Sequence, residues 1–329
     1  MADVTLLSEA DLRACVAIDR ESLDAVEQAF RLLATAPVAM PPILRLDVPE
    51  HNGEVDVKTA YLPGLPRFAI KVSPGFFDNP RLGLPSLNGM MMLLSSRTGL
   101  LDALLLDNGY LTAVRTACAG AVAARWLARE DSRQVALIGA GEQARLQLKA
   151  LCLVRPIEAA SVWARDLDKA RHCAQELSTM GIAVSACASI DEALEGADIA
   201  ITSTPSREPL IQKKHLRPGL HITAMGSDAE HKNEIAAAAL AAVDCYVADR
   251  VSQTLVLGEL HHAVQAGDVS RDDDFAELGQ VIAGQREGRR RAEDITLCDL
   301  TGTGAQDTAI AGLAFQRAQR MGMGFRFSS

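Results

Sequence analysis

The segment Gln134-Val-Ala-Leu-Ile-Gly139-Ala-Gly141-Glu-Gln-Ala144-Arg-Leu-Gln-Leu-Lys-Ala-Leu151 leaves the chain few ways to fold around it. The five mostly apolar residues before Gly139 suit a buried parallel strand, and the residues after Gly141 have the spacing of an amphipathic helix. Between them, Gly139 permits a tight strand-to-helix turn. Gly141 lets the backbone approach a pyrophosphate, and Ala144 is small enough for the helix to pack on the strand. The helix would then aim its N-terminal amides at the anion. A glycine-rich turn of an ordinary βα unit looks the same in isolation; the flanking strand and helix favour the dinucleotide reading.

After Gln134 strand and helix alternate, with strands expected at 134–138, 160–163, 198–202, 221–225 and 245–247. Alternation of this kind predicts an α/β fold, a Rossmann-type doubly wound parallel sheet covered on both faces. The earlier residues read differently. Positions 8–35 have helical spacing (Leu12, Val16, Ile18, Leu23, Val26, Phe30, Leu33) that ends at Pro37, Pro41 and Pro42. Short strands follow at 43–48, 54–61, 68–72, 89–94 and 101–106, with Asn52-Gly53 as a hairpin signal and Asn108-Gly109 as a second turn. Thr112 is the expected cap of a helix running through Leu127. The tail from Asp299 to Ala309 reads as a glycine-rich loop opening a last helix that packs back on the first domain. The expected organisation is therefore a Rossmann dinucleotide-binding domain over 119–304. The second is a discontinuous α+β substrate-binding and dimerisation domain over 1–118 and 305–329.

Composition narrows the function classes. The chain has 329 residues, enough for two full cores, and its net charge of −9 argues against nucleic-acid or anionic-membrane partners. The run Arg286-Glu-Gly-Arg-Arg-Arg291 is short and flanked by acids, so it reads as a solvated loop. Seven cysteines are scattered without metal or disulfide spacing, which suits a reducing cytoplasm. The first residues carry no export signal, and no apolar run approaches the ~18–20 residues of a bilayer crossing. His261 and His262 are adjacent on an expected helix and face different directions, while His51, His172 and His215 have no ligand-spaced partners, so no metal is expected. Hydrolase and phosphoryl-transfer motifs are absent.

Six blocks then carry a resemblance to the ornithine cyclodeaminase/μ-crystallin family: Pro42-Ile-Leu-Arg45, Phe68-Ala-Ile-Lys71, Gly83-Leu-Pro-Ser86, Leu111-Thr-Ala-Val-Arg115-Thr116-Ala, Gly139-Ala-Gly-Glu-Gln-Ala144 and Met225-Gly-Ser-Asp228. Within that family the chain is similar to the branch of ectoine-utilisation cyclodeaminase-like proteins and iminosuccinate reductases. Asn88, Phe76-Phe77-Asp78-Asn79, Gly226–Glu234 and Asp299–Gly304 carry the narrower likeness. The resemblance implies a homodimer in which hydride moves between nicotinamide C4 and the Cα of an amino or imino acid.

The same resemblance assigns roles. Arg45, Lys71 and Arg115 match the positions that hold the substrate carboxylate, and Asp228 and Lys71 those that manage protons. Each cation alone reads more readily as a surface salt bridge, and for Asp228 the alternative is an Asx turn or helix cap. Lys71 lies in sequence among apolar Phe68, Ile70 and Val72, and Arg115 on a mostly apolar helix, which favours function for both. His231 and Lys232 are either surface residues or partners for a second substrate carboxylate. For the cofactor, Gly139, Ala140, Gly141, Glu142, Gln143 and Ala144 surround the pyrophosphate, and Thr116 adds a hydroxyl from the other domain. Ser203 and Thr204 lie near ribose and nicotinamide, and Met225 packs on the ring. Arg165 suits the 2′-phosphate of NADP, but Asp166 and Asp168 oppose it, so NADH is favoured. The implied activity is an NAD(P)H-dependent imine reductase forming a small α-amino acid, with iminosuccinate to L-aspartate as the preferred case. A redox-neutral NAD-dependent cyclodeaminase of ornithine or 2,4-diaminobutyrate and a non-catalytic cofactor- and ligand-binding protein are the alternatives.

Overall fold

The computed structural model describes residues 3–328 and divides the chain into two compact units, Met1–Arg115 with Thr303–Ser329, and Thr116–Gly302. The first unit opens with β1 (Asp3–Ser8), α1 (Glu9–Cys15) and α2 (Arg20–Thr35). Sequence spacing predicts one helix over 8–35; two form instead. Asp19 accepts a hydrogen bond from the Ser22 amide at 2.9 Å and caps α2 afresh, while Val16 is extended. An Asp side chain competes with a helix interior for backbone amides, so the apolar spacing continues across a break it does not reveal.

Five strands follow: β2 (Leu44–Val48), β3 (Gly53–Ala60), β4 (Arg67–Phe76), β5 (Met90–Ser95) and β6 (Leu101–Leu106). β2 to β6 form an antiparallel meander. Asn52 takes the left-handed conformation at φ 45° before Gly53, but the link from β2 is a short turn of 3₁₀ helix over Pro49–His51 rather than a two-residue hairpin. Register separates the two faces. Arg45, Asp56, Lys58, Lys71, Met91 and Leu105 line one face through directly opposed pairs. Phe68, Ile70 and Val72 point to the other, so the apolar sequence neighbours of Lys71 do not surround it.

Helix α3 (Tyr110–Leu127) runs across the division between the units. It begins at Tyr110, so Thr112 lies inside its first turn and is not its cap. Asp107 serves the helix start instead, accepting from the Leu111 amide at 2.9 Å. The left-handed Asn108 and Gly109 (φ 51° and 89°) turn the chain between them.

The second unit contains β7 (Gln134–Ile138), α4 (Glu142–Leu151), β8 (Ala159–Trp163), α5 (Leu167–Ser178), β9 (Ala183–Cys187), α6 (Ile190–Leu194) and β10 (Ile199–Thr202). It continues with β11 (His221–Ala224), α7 (Ala237–Leu240), β12 (Cys245–Ala248), α8 (Val251–Thr254), α9 (Glu259–Ala266), β13 (Ala276–Glu277), α10 (Leu278–Ile282) and β14 (Thr296–Asp299). Its eight strands are all parallel, in the order β13-β12-β14-β11-β10-β7-β8-β9. The order reverses at β7: the chain steps outward to β8 and β9, then returns to build the other half from β10. That is the doubly wound α/β fold, and ligands of such sheets bind outside the carboxyl ends of the strands near the reversal. Sequence patterning does not reveal β9, β13 or β14. β9 is a partly exposed edge, β13 has only two residues, and β14 has polar Thr296 and Asp299 at its ends, so it does not read as an apolar run.

The chain then re-enters the first unit as α11 (Gly304–Met321) and β15 (Phe325–Ser328). β15 pairs with β1, and β1 lies parallel to β6, which completes a seven-stranded sheet in the order β15-β1-β6-β5-β4-β3-β2. Helix α11 packs on β3, β4 and β5. A side chain on Gly304 would sit 2.4–2.9 Å from the backbone of Thr59, so only glycine lets the first turn of α11 lie this close to β3. Thr308 completes the seam, accepting from the Ala69 amide (3.0 Å) and donating to the Ala60 carbonyl (2.8 Å). Among the described residues no helix is long and apolar enough to cross a membrane.

Candidate functional site

Each unit carries one concentration of chemistry-bearing residues. In the first, α11 delivers a carboxylate to the inner face of the sheet. Thr303 stands at the N-cap, its amide donating to the Gln306 side-chain oxygen at 3.4 Å, and Asp307 falls in the first turn, where a negative charge is favoured by the helix dipole. Lys71 Nζ donates to Asp307 Oδ1 at 3.1 Å and lies 3.0 Å from Oδ2; Arg115 Nε donates to Oδ1 at 3.0 Å. Arg115 Nη1 reaches the Gln306 side-chain oxygen, also at 3.0 Å. Lys71, Arg115 and Asp307 are 2%, 6% and 0% exposed, so this is a buried ion cluster.

Burial governs the protons here. It pushes Lys71 down from 10.5 to about 7; Asp307 opposes the change, while Arg115 and Lys58 reinforce it. For Asp307, burial alone would raise the pKa, but Lys71, Arg115 and Lys58 together hold it below the ordinary carboxylate value. A lysine that titrates near neutrality can both bind an anion and exchange a proton. Lys58 is itself buried and directly opposes Lys71 across β3 and β4. Arg45 is not part of the cluster. It lies on outer strand β2, one-third exposed, and is held by Asp47 (3.0 Å), Glu54 and Asp56 (3.8 Å).

In the second unit β7 runs into the glycine turn. Gly139 has φ +127°, its amide donates to the Trp163 carbonyl at 2.8 Å, and a side chain there would meet the Ser203 carbonyl and hydroxyl at 3.0 Å. Gly141 begins α4 without a side-chain cap, and no atom lies within 4 Å of where its Cβ would stand. Ala144 is buried against the sheet, Ala140 and Gln143 are half-buried and Glu142 is exposed. Arg145 donates to the carbonyls of Ala140 (2.6 Å) and Gly141 (3.0 Å) and so clamps the turn from behind.

The neighbouring strand ends are tied to one another. Ser203 follows β10, its amide donating to Ile138 at 3.0 Å; its buried hydroxyl has no hydrogen-bond partner among the described residues. Glu234, fully buried, accepts from the Thr204 amide (2.6 Å), the Thr204 hydroxyl (2.7 Å) and the Gly226 amide (2.7 Å), which joins the turns after β10 and β11. Burial raises its pKa despite those bonds. Met225 is buried, its sulfur 2.9 Å from Gln147 Nε2, and the same amide nitrogen donates to the Thr116 carbonyl at 3.0 Å. Thr116 is the first residue of this unit, so it is not a contribution from the other domain.

Asp228 stands on the turn after β11 with its side chain 51% exposed, 2.5 Å from Lys232 Nζ. His231 is exposed beside it. Arg165, at the end of β8, is exposed and makes no hydrogen bond or ion pair among the described residues; Asp166 instead caps α5, and Asp168 pairs with Arg171 at 2.9 Å.

An open Gly141 approach, uncapped amides at the start of α4 and the unsatisfied Ser203 hydroxyl together fit a dinucleotide pyrophosphate. Sequence reading did not single out Asp307, Gln306, Arg145 or Glu234. The first two lie in a recognisable capping motif, and Arg145 sits one helical turn beyond Gly141; nothing local marks Glu234.

The profile of the Ornithine cyclodeaminase/mu-crystallin family matches residues 3–322. An uncharacterized cyclodeaminase of Sinorhizobium fredii is 58% identical over the full length of both chains. Among solved structures, Thermococcus litoralis Δ1-pyrroline-2-carboxylate reductase in complex with NADH and L-proline superposes with a TM-score of 0.93 at 33% identity, over 98% of this chain and 99% of that one. The iminosuccinate reductase of Paracoccus denitrificans in complex with NAD⁺ gives 0.90 at 28% identity, over 99% and 100%.

Proposed function

Because the chain belongs to the ornithine cyclodeaminase/mu-crystallin family, we propose that it is an NAD(P)H-dependent imine reductase forming a small α-amino acid, with iminosuccinate to L-aspartate as the preferred reaction. The observation that carries this reading is the buried Lys71–Asp307–Arg115 cluster, two cations on one carboxylate. In this reading Arg115 and Lys71 hold the α-carboxylate of the imino acid. Arg45, tied to three acids, shapes the rim of their face rather than gripping the substrate. Lys71, buried and poised near neutrality, supplies or receives a proton, and Asp228 manages the proton at the substrate nitrogen.

Gly139, Ala140, Gly141, Glu142, Gln143 and Ala144 form the pyrophosphate turn, with Ser203, Thr204, Thr116 and Met225 around the rest of the coenzyme. When bound, the coenzyme supplies hydride to the imine carbon. NADH is the proposed coenzyme. Arg165, with Asp166 and Asp168 both engaged elsewhere, is the residue through which NADPH would compete; Arg165→Ala would raise KM for NADPH and leave that for NADH unchanged.

An apolar surface supports a homodimer. Leu44, Leu46, Met90, Leu106, Phe325 and Phe327 are exposed and share the outer face of the seven-stranded sheet. A face of this kind on a soluble protein marks an interface. The protein is proposed to act in the cytoplasm, where its free thiols stay reduced.

One assay separates the readings. Iminosuccinate made in situ from oxaloacetate and ammonia, or from 3-hydroxyaspartate by a lyase, should drive steady loss of reduced-nicotinamide absorbance. Ammonia release from ornithine or 2,4-diaminobutyrate with no net change in coenzyme would replace the reductase by the redox-neutral cyclodeaminase, the activity in the name of the Sinorhizobium relative. Binding of coenzyme and ligand without turnover would leave a binding protein. Lys71→Ala and Asp228→Asn should each lower turnover at least ~10²-fold.

A further inference from the structure

We infer that His262 on α9 is a positioning residue for Asp228: through Lys232 it holds in place the irregular turn that carries that carboxylate. The inference rests on the reading of Asp228 as the group that manages the substrate proton, and adds what fixes it.

Residues 225–234 follow β11 without helix or strand, so their orientation depends on the partners their polar groups find. Asp228 stands in this stretch with half its side chain in solvent, its carboxylate engaged by Lys232 Nζ. Lys232 is in turn fixed by its main chain. Its amide donates to the Ala229 carbonyl at 3.0 Å. Its carbonyl is met twice, by the Ser227 hydroxyl and by His262 Nε2, the latter at 2.7 Å. Ser227 directly precedes Asp228, so one carbonyl ties the base of the acid's own turn to a helix outside it. A carbonyl can only accept, so Nε2 carries the His262 proton whether the ring is neutral or charged. Burial lowers the pKa of His262 and favours the neutral ring.

Helix α9 is a firm support for this contact. Its first two amides, those of Glu259 and Leu260, donate to the buried Asp299 carboxylate at 2.9 and 3.1 Å, and Leu260 and Ala263 are fully buried. Glu259 stands one helical turn before His262, on the same side of α9. Its carboxylate accepts from the amides of Glu234 (3.0 Å) and Ile235 (3.1 Å), so α9 grips the turn at two points. The Asn233 amide between them donates to the Ser206 carbonyl at 2.8 Å. The two grips differ in what they govern. Glu259 holds the backbone of Glu234, which joins the turns after β10 and β11, whereas His262 holds Lys232 and through it the Asp228 end.

The test uses the full-length protein with NADH. His262→Leu removes the donor, and His262→Gln keeps one at nearly the same reach. Amide hydrogen exchange followed by mass spectrometry reads the turn, and kcat for iminosuccinate reduction reads Asp228. A neutral hydrogen bond shifts a local equilibrium about fivefold, so peptides covering 226–235 should exchange about fivefold faster in His262→Leu while those of β7 and β10 are unchanged. At the same time kcat should fall at least about tenfold, with NADH affinity within about twofold of native, because the reacting group is misplaced rather than the coenzyme released. His262→Gln should restore both. His262→Asn, too short to reach the carbonyl, takes the place of the leucine variant if that one does not fold. Unchanged exchange at 226–235, equal quickening in β7 and β10, no rescue by glutamine, or native kcat in His262→Leu while Asp228→Asn is inactive would each overturn the inference. If exchange changes as expected but the native protein reduces no imino acid, or Asp228→Asn turns over normally, it is the reading of the reaction that fails, and His262 remains the anchor of the turn.

Discussion

Asp307→Asn removes the single carboxylate shared by Lys71 and Arg115, at a position with no solvent exposure. Deleting one partner of a buried ion pair and leaving the other charged costs ~3–5 kcal/mol. Relief comes from only one side: Lys71 can shed its proton, whereas Arg115 cannot. Asp307 is the group that most holds the Lys71 proton in place, so its loss should move Lys71 further below about 7. At neutral pH Lys71 then becomes mostly neutral, which places the expected destabilisation near the lower end, ~3 kcal/mol. The sign of the pH dependence follows. A lysine whose folded pKa lies below its unfolded one binds fewer protons when folded, so its burial penalty is full at low pH and disappears as pH rises toward the unfolded value. The deficit of Asp307→Asn should accordingly be wider at about pH 6 than at about pH 9. Urea unfolding of both proteins at the two pH values, followed by circular dichroism, measures it, and the double variant with Lys71→Met should recover part of the loss. A cost below ~1 kcal/mol, equal at both pH values and additive with Lys71→Met, would refute the shared-counterion account.

Three further outcomes follow from the same geometry. If Lys71 acts in its charged form, kcat/KM for imine reduction should fall as pH rises through about 7, and a flat profile between about pH 6 and 9 would remove it from that role. Asp299, buried beside Asp249 and pushed up to about 7, binds more protons folded than unfolded. Its contribution to stability should therefore decline between about pH 4 and 7, so Asp299→Asn should gain stability relative to the wild type as pH rises through that range in a thermal-melting series. Finally, Gly139→Ala forces a side chain into φ +127° and against Ser203, which should lower stability by ~1–3 kcal/mol, whereas Gly141→Ala meets open space. The latter should melt like the wild type yet bind NADH more weakly; normal NADH affinity in Gly141→Ala would dissociate the turn from the coenzyme.

The cofactor half of the protein is legible in its sequence because its signals are local. Gly139, Gly141 and Ala144 lie within one strand-turn-helix unit, and their φ requirements and size limits act on neighbours in the chain. Strands such as Gln134–Ile138 are readable for the same reason: a fully buried parallel strand is a short apolar run wherever it occurs. Lys71 and Arg115 could be named as cations in apolar settings, but not what they face. Their counterion, Asp307, lies 236 and 192 residues further along the chain. The surroundings inferred for Lys71 from its neighbours belong to the opposite face, since adjacent residues of a strand point apart. Only the tertiary structure places Asp307 between the two cations, opposes Lys58 to Lys71, and gives Glu234 the task of joining the turns after β10 and β11. Each of these depends on which strands become neighbours, and that is decided by the burial of whole faces rather than by any short stretch of sequence.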